Sequence, residues 1–254
     1  MGTVLARIKL LLVILAALLP AAGCSSLPQA VPADALPLRT YEDVVKEGMS
    51  PMFEVDDSLE GFNRGVYRFN YYFDEFLFRP VVRTYETIMP DYAEERVSSA
   101  IDNIGEVGNL ANNLLQLKFK AAGITVSRFV INSTVGVAGL WDPAGAWGLR
   151  RQPEDFGQTL GRYGVGNGSY LVLPVLGPSN VRDTTGLAVD SAAFNLAGPA
   201  AWVDNAAITA AYTGTSAVDR RHRIPFRYRQ TGSPFEYELL RMLYTMKRED
   251  DVAN

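Results

Sequence analysis

From Asp57 onward the apolar and polar positions fall into helical periods. Phe62, Val66, Phe69, Phe73 and Phe76 recur at steps of four and three, giving one stripe that is almost wholly aromatic. Tyr67, Tyr71, Tyr72 and Phe78 widen it, and Arg64 and Arg68 share the other side. Asp57 is placed to cap this helix, Glu60 completes a capping box, and Pro80 ends or kinks it. A second helix starts at Pro90-Asp91. Val97, Ile101, Ile104, Ala111, Leu114 and Leu115 carry its stripe to about Leu117, with Gly105 and Gly108 weakening or bending the middle. A third helix runs from about Phe119 to Val135, with Ala122, Val126, Phe129 and Val130 on one side.

The periodicity then breaks. Glycines crowd the stretch from Gly136 to Gly186, and Pro143, Pro153, Pro174 and Pro178 interrupt it, which predicts tight turns and close backbone approach rather than long helices. Tyr170–Leu173 reads as a short extended segment. Helices return over Asp183–Ala197 and Trp202–Tyr212, split by Gly198-Pro199. A basic stretch follows: Arg220, Arg221, His222, Arg223, Arg227 and Arg229. In the last helix Ser233 is the expected cap, Pro234 the first position and Glu236 the end of a capping box, with Leu239, Leu240, Leu243, Tyr244 and Met246 on the apolar side. The fold class is all-α, and no internal repeat is present.

The leader changes the setting of all this. Arg7 and Lys9 precede an apolar run from Leu10 to Leu19, then Pro20-Ala21-Ala22-Gly23 and Cys24. With cysteine after the cut, this resembles the bacterial lipoprotein signal, in which the cysteine is lipidated and becomes the first mature residue. Ala21 stands where that signal favours leucine; the other reading is an ordinary secretory signal with a leftover thiol. Ser25 and Ser26 supply no aspartate, which by resemblance to lipoprotein sorting signals favours the outer membrane over the inner one. The expected organisation is a signal peptide over 1–23, a flexible tether over 24–50 and one helical domain over 51–254. Pro28, Pro32 and Pro37 fall in the tether.

Composition removes several function classes. The formal net charge is −4 with the basic leader included, which disfavours a nucleic-acid partner. Cys24 is the only cysteine and His222 the only histidine, so neither a disulfide framework nor a zinc site of several His or Cys ligands fits within one chain. After the leader no uncharged apolar run reaches the roughly 18 residues of a spanning helix; Arg128 interrupts Ile124–Trp141 and Asp190 interrupts Leu187–Trp202. The mature chain can still lie in one leaflet. A Ser–His–Asp hydrolase would have to use His222, whose arginine neighbours disfavour the imidazolium a general base must become. No Gly-x-Ser-x-Gly occurs, and Gly164-Val165-Gly166-Asn167-Gly168 lacks the Lys-Ser/Thr ending of a phosphate loop. A carboxylate pair for glycoside cleavage stays open. The expectation is a non-enzyme with no cofactor and no metal.

Three segments carry a family resemblance. They are Ser58-Leu59-Glu60-Gly61-Phe62-Asn63-Arg64 continuing to Phe69-Asn70, Arg128-Phe129-Val130-Ile131-Asn132-Ser133-Thr134-Val135-Gly136, and Glu154-Asp155-Phe156-Gly157-Gln158-Thr159-Leu160-Gly161-Arg162-Tyr163-Gly164-Val165-Gly166. The third continues through Leu171-Val172-Leu173-Pro174 to Gly177-Pro178-Ser179 and Arg182-Asp183. Together they resemble the MlaA (VacJ) family of outer-membrane lipoproteins, from about Asp56 to Arg248. Ser58 stands where the family usually has proline, and 214–230 matches poorly. The resemblance implies a ring-like bundle of amphipathic, membrane-embedded helices around a central channel, with a glycine-rich hairpin or loop, in the inner leaflet of the outer membrane. It implies removal of mislocalised phospholipids from the outer leaflet, handover to a periplasmic carrier, and binding to a trimeric porin. The candidate lipid attachment site is Cys24. The candidate channel or gating residues are Phe62, Asn63, Arg64, Arg68, Phe69, Asn70 and Phe73 on the first motif, Arg128 on the second, and Asp155, Phe156, Gly157, Gly161, Tyr163, Gly164 and Gly166 on the third.

The residues themselves fit that picture. An aromatic stripe on a helix that does not span can lie in the membrane interface, and lone ionisable residues on embedded helices face a wet interior. Glycine absorbs large dihedral changes, so 139–168 reads as a hinged loop. Each feature also has a plainer reading: core packing for the phenylalanines, paired or surface arginines, packing glycines, and a solvated face or headgroup contact for 220–229. The alternative function is a lipid-tethered scaffold that binds envelope partners without moving lipid.

Overall fold

The computed structural model describes residues 55–203, 205–230 and 232–254; Cys24, the leader and the tether lie outside the described residues. Helix α1 (Glu60–Phe73) runs through a π-helical turn (Asp74–Phe78) into α2 (Arg79–Ile88). Long α3 (Asp91–Leu115) packs along α4 (Phe119–Thr134), which is followed by the short α5 (Pro143–Ala146). Then come α6 (Phe156–Arg162), the strands β1 (Tyr170–Leu173) and β2 (Gly177–Asn180), and α7 (Val181–Leu196). A 3₁₀ turn (Pro199–Trp202) leads to α8 (Ala206–His222), and α9 (Glu236–Ala253) closes the order. The strands pair antiparallel, Tyr170 opposite Asn180 and Leu173 opposite Gly177. Apart from this hairpin the described structure is helical, as the periodicity predicts. Among the described residues, no helix is long and apolar enough to cross a membrane.

Burial is inverted relative to an ordinary globular core. The buried residues of α3 are Glu94, Asn103, Glu106, Asn109, Asn112 and Asn113, and those of α4 are Ala122, Thr125, Arg128 and Asn132. Leu114, Leu115, Val126 and Val130, all on the apolar stripes of these helices, are exposed. On α1 the inward positions are Asn63, Val66 and Asn70, while Phe62, Phe69 and Tyr72, with Phe76 of the π turn, point out. The outward rings stack on one another: Phe69 on Phe73 at 5.9 Å and Tyr72 on Phe76 at 6.1 Å. The aromatic stripe is therefore a surface, and Val66 leaves it for the interior. One small apolar cluster is buried: Val66, Tyr170, Val172 and Tyr237, flanked by Val55, Tyr67 and Tyr244.

Several expected boundaries move, each for a local reason. Pro80 does not end the first helix. Proline lacks an N–H and crowds the carbonyl four residues back; here the wider π turn absorbs the mismatch, with the Arg79 N–H donating to Asp74 O. Asp57 does not cap with its side chain. Leu59 occupies the N-cap, and the Asp57 carboxylate instead takes bonds from Asn63, Tyr237 and Arg241. The helix expected over Trp202–Tyr212 begins at Ala206, capped by Asn205, and runs on to His222. The last helix begins at Glu236 rather than Pro234, and the Glu236 carboxylate accepts from the Arg229 N–H and the Tyr67 hydroxyl. Within the glycine-rich stretch, α6 and the second strand went unread: α6 is only seven residues long and is announced by its cap, Asp155.

Within the basic stretch Arg221, His222, Arg223 and Arg229 are engaged by other elements, while Arg220 and Arg227 are exposed. Arg221 forks onto Asp74 of the π turn, Nε to Oδ1 at 2.6 Å and Nη2 to Oδ2 at 2.9 Å. Arg223 reaches Asp102 at 3.1 Å and also bonds Asp219. His222 Nδ1 lies 2.9 Å from Glu86 and Nε2 lies 3.4 Å from Glu94. The Arg229 guanidinium sits 4.1 Å over the Tyr71 ring. These residues tie α8 and the following loop back to α1, α2 and α3.

Candidate functional site

The first motif is split between two faces of α1. Asn63 and Asn70 stand two turns apart against β1 and complete the backbone hydrogen bonds of the hairpin. Asn63 Nδ2 donates to Tyr170 O at 3.0 Å and its Oδ1 accepts from Val172 N at 2.8 Å. Asn70 Nδ2 donates to Leu173 O at 2.9 Å and its Oδ1 accepts from Val175 N at 2.7 Å. Two asparagine amides thus stand in for a neighbouring strand. Only an amide offers donor and acceptor together at this spacing. Phe62 and Phe69 lie on the outer face. Arg64 bonds Glu60 and Glu238 and lies 4.5 Å over Tyr237, while Arg68 is exposed.

Asn63→Ala is expected to cost about 2–4 kcal/mol, because it leaves two buried backbone groups without partners. Phe62→Ala, one residue away but exposed, is expected to stay within about 0.5 kcal/mol. Thermal unfolding of both variants in detergent checks the contrast.

Arg128 of the second motif is 2 % exposed and sits at the centre of a polar network. Nε donates to Glu106 at 2.8 Å, Nη1 to Leu149 O, and Nη2 to Asp142 at 3.1 Å. Asn132 bridges Asp142 and the Ala144 N–H, which fixes the loop after α4. Burial alone would lower the Arg128 guanidinium; its bonds to Glu106 and Asp142 outweigh this and raise it. Burial likewise opposes ionisation of Asp142, but the Gly145 N–H, Asn132 and Arg128 hold its carboxyl below the usual range.

The third motif forms α6 and its crossing with α7. Asp155 caps α6 by accepting from Gln158 N at 2.8 Å, and it also takes two bonds of 2.9 Å from Arg248. Arg248 bonds Asp183 as well, through Nε at 2.7 Å and Nη2 at 3.0 Å. Asn180, Arg182 and Tyr244 add further bonds to Asp183. Burial pushes the Asp155 and Asp183 carboxyls up, but the bonds and charge of Arg248 outweigh it and both are held low. Burial and the Asp183 charge raise the Tyr244 hydroxyl, which stays protonated as a donor.

Gly157 and Gly186 are required by the helix crossing. A Cβ on Gly186 would lie 2.3 Å from Gly157 N, and one on Gly157 would lie 2.6 Å from Asp183 Oδ1. Gly161 abuts Val252 and Arg182. Gly164 and Gly166 differ: a Cβ there meets nothing within 4 Å, and Gly164 has φ +87. Tyr163 is exposed, and its hydroxyl donates to Leu115 O at 2.6 Å.

The Arg128 and Asp155 networks are joined. Asn109 donates to Glu106 and accepts from Glu154 N. Thr159 of α6 donates to Asn112 of α3 at 2.9 Å, and Gln116 bonds both Glu154 and Thr159. Asp190 of α7 accepts from Asn112 and from Phe156 N. A continuous polar spine therefore runs from Asp142 through Arg128, Glu106 and the α3 amides to α6, Asp155, Arg248 and Asp183. Sequence reading missed Glu106, Asn109, Asn112, Asp142, Asp183, Asp190 and Arg248 as members. A signal was present: Glu106, Asn109, Asn113 and Gln116 recur at helical spacing on the face opposite Leu114 and Leu115. Among the described residues no group of three or more His, Cys, Asp or Glu side chains is placed to hold a metal ion.

The family model described as MlaA lipoprotein matches residues 55–251. A protein of Haemophilus influenzae named intermembrane phospholipid transport system lipoprotein MlaA is 34% identical over 142 residues, 55% of this chain and 57% of the relative. Its namesake in Escherichia coli K12 is 37% identical over 134 residues, 51% and 53% of the two chains. An uncharacterised protein of Rickettsia prowazekii is 42% identical over 142 residues, 56% and 57%. The chain thus aligns with a little over half the length of these curated relatives. A solved chain from work on the structural basis for maintenance of bacterial outer membrane lipid asymmetry superposes with TM-score 0.65 at 28% identity, covering 78% of this chain and 99% of its own. By the span of that family model, which takes in all three motifs and the polar spine they build, the chain belongs to the MlaA lipoprotein family.

Proposed function

We propose that this chain is a non-enzymatic phospholipid-transport lipoprotein of the outer membrane. It is anchored through Cys24 and lies in the inner leaflet at the periplasmic face. There it removes mislocalised phospholipids from the outer leaflet along an amphipathic channel ringed by its helices. The observation that carries this reading is the inversion of burial. Polar side chains fill the interior of α3 and α4 while aromatic and aliphatic ones cover the outside. In water such an exterior is costly, whereas in an acyl environment it is the favourable arrangement. An interior of charged and amide groups beside an apolar exterior also suits a molecule with a polar head and apolar tails. Ionisable groups inside membrane proteins mark such paths.

Handover to a periplasmic carrier and association with a trimeric porin belong to the same proposal and rest on the family's character. Within it, Gly164 and Gly166 are the positions free enough to act as a hinge, whereas Gly157, Gly161 and Gly186 fix the α6–α7 crossing. Asn63 and Asn70 set the position of the hairpin relative to α1.

The test is outer-leaflet phospholipid in a deletion strain that lacks redundant retrieval systems. Wild-type protein is expected to restore a low level. Phe69→Asp with Phe76→Asp is expected to fold, since both positions are exposed. It is expected to fail in complementation, because each carboxylate costs up to about 3 kcal/mol in the acyl region. Unchanged lipid asymmetry in the deletion strain would sink the transport reading and favour a scaffold.

A further inference from the structure

The described residues begin at a cleft. Val55, the first of them, lines a cleft of about 260 Å³ together with Tyr170 of β1 and with Met242 and Met246, one turn apart on α9. The backbone is already held there: Asp56 O accepts from the Tyr170 N–H at 2.8 Å. From Met246 an exposed apolar strip continues along α9 through Leu243 to Leu239. We propose that this cleft is the docking site of the chain's own segment 51–54, with the Phe53 ring seated against Met242 and Met246.

Connectivity favours this occupant. Each residue advances the chain by at most about 3.6 Å, so the Phe53 Cα lies within about 7 Å of that of Val55 by any path. A group tethered this close faces the cleft at an effective concentration that a free partner does not reach. Side-chain alternation points the same way. Val55 packs against the buried cluster of Val66, Tyr170, Val172 and Tyr237. In extended chain, residues i and i+2 share a side, so Phe53 follows Val55 and Glu54 turns to the other side.

The chemistry also matches. The run Pro51-Met52-Phe53 is apolar. Methionine thioethers make favourable contacts with aromatic rings. Pro51 restricts the undocked segment and so lowers the entropy lost on docking. Other occupants fit less well. Asp56 and Glu249 line the cleft and no lysine or arginine does, which turns away a lipid phosphate. A second copy would need an interface of about 1,200 Å² or more, well beyond one small cleft. The first fixed residue of the helical body is then Pro51 rather than Val55. None of this depends on the lipid-transport reading.

The experiment uses the full-length chain in detergent, carrying Phe53→p-benzoylphenylalanine, as an equal mixture of unlabelled and ¹⁵N-labelled protein. Light is expected to join position 53 to Met242 or Met246 in peptides of a single isotope. Mixed-isotope products would identify a second copy as the occupant, and capture of other residues or of detergent alone would show no docking; either result overturns the proposal. A second measurement avoids the bulkier ring. Peroxide oxidation of Met242 and Met246 is expected to run about tenfold faster in Phe53→Ser than in wild type, the shift that partial burial of one phenylalanine supports. Phe53→Leu should keep most of the protection, and Met89 should oxidise alike in all three. Equal rates at Met242 and Met246 in wild type and Phe53→Ser would also overturn it.

Discussion

Arg248→Ala is expected to remove about 3 kcal/mol of stability at neutral pH, because it strips the buried Asp183 carboxylate and the half-exposed Asp155 carboxylate of their shared partner at once. Arg248 makes two bonds to Asp155 and two to Asp183, and thereby clamps α9 to the start of α6 and to the first turn of α7. Lysine keeps the charge but loses the planar fork, so Arg248→Lys should recover only part of the loss.

The pH dependence has a definite sign. Both carboxyls are held low in the folded state, so their contribution is full above the unfolded carboxylate value of about 3.9 and is lost as pH falls through the folded value. In Arg248→Ala the main group holding them down is gone and burial is opposed only by the bonds that remain, from Gln158 to Asp155 and from Arg182 and Tyr244 to Asp183, so both carboxyls move up toward the protonated form. The deficit of the variant against wild type should therefore shrink as the solution is taken from pH 7 toward pH 4. Thermal melts across that range check it; a deficit that grows on acidification would contradict the clamp.

Arg128→Met is expected to be comparably damaging, at about 3–5 kcal/mol. Glu106, its partner, has a fully buried side chain, and without Arg128 it would keep only Asn109 and Arg151 at 3.5 Å. Most of that cost is the stranded charge rather than the lost attraction. The double variant Arg128→Met with Glu106→Met should then recover a large part of the stability, since replacing a whole buried pair by apolar groups is often near neutral. A double-mutant cycle in detergent measures the coupling, and additive losses would contradict it.

Helices were legible in the sequence because their period does not depend on which side faces in. The 3.6-residue repeat locates α1, α3 and α4 correctly whether the apolar stripe is buried or exposed. The sign of burial was not legible on the same grounds. For the α1 stripe both a membrane-facing surface and core packing fitted the sequence, and the α3 stripe named no side; Phe62, Phe69 and Leu114 point out. The polar spine was hidden for another reason: Arg128 meets Glu106 of another helix across 22 positions, and Asp155 meets Arg248 across 93. No local pattern encodes such a pairing. Asn63 and Asn70 stood out as part of a motif, yet their bonds to the hairpin more than a hundred residues away carry no periodic signature. The glycine-rich sequence suits close approach throughout and a hinge over 139–168, and only the backbone distances separate the packed Gly157 and Gly186 from the open Gly164 and Gly166.

The inverted interior also sets how the protein responds to temperature. Exposing apolar surface raises the heat capacity by about 0.45 cal/mol/K per Å², and exposing polar surface lowers it by about 0.26. An ordinary domain uncovers mainly apolar groups when it melts, and the resulting heat-capacity increment bends its stability curve into a steep dome. Here the groups uncovered from α3 and α4 are amides, carboxylates and a guanidinium, while the phenylalanines of α1 were outside from the start. The heat-capacity increment of melting in detergent is therefore expected to fall below that of an ordinary domain of this size, and the stability curve to be correspondingly shallower.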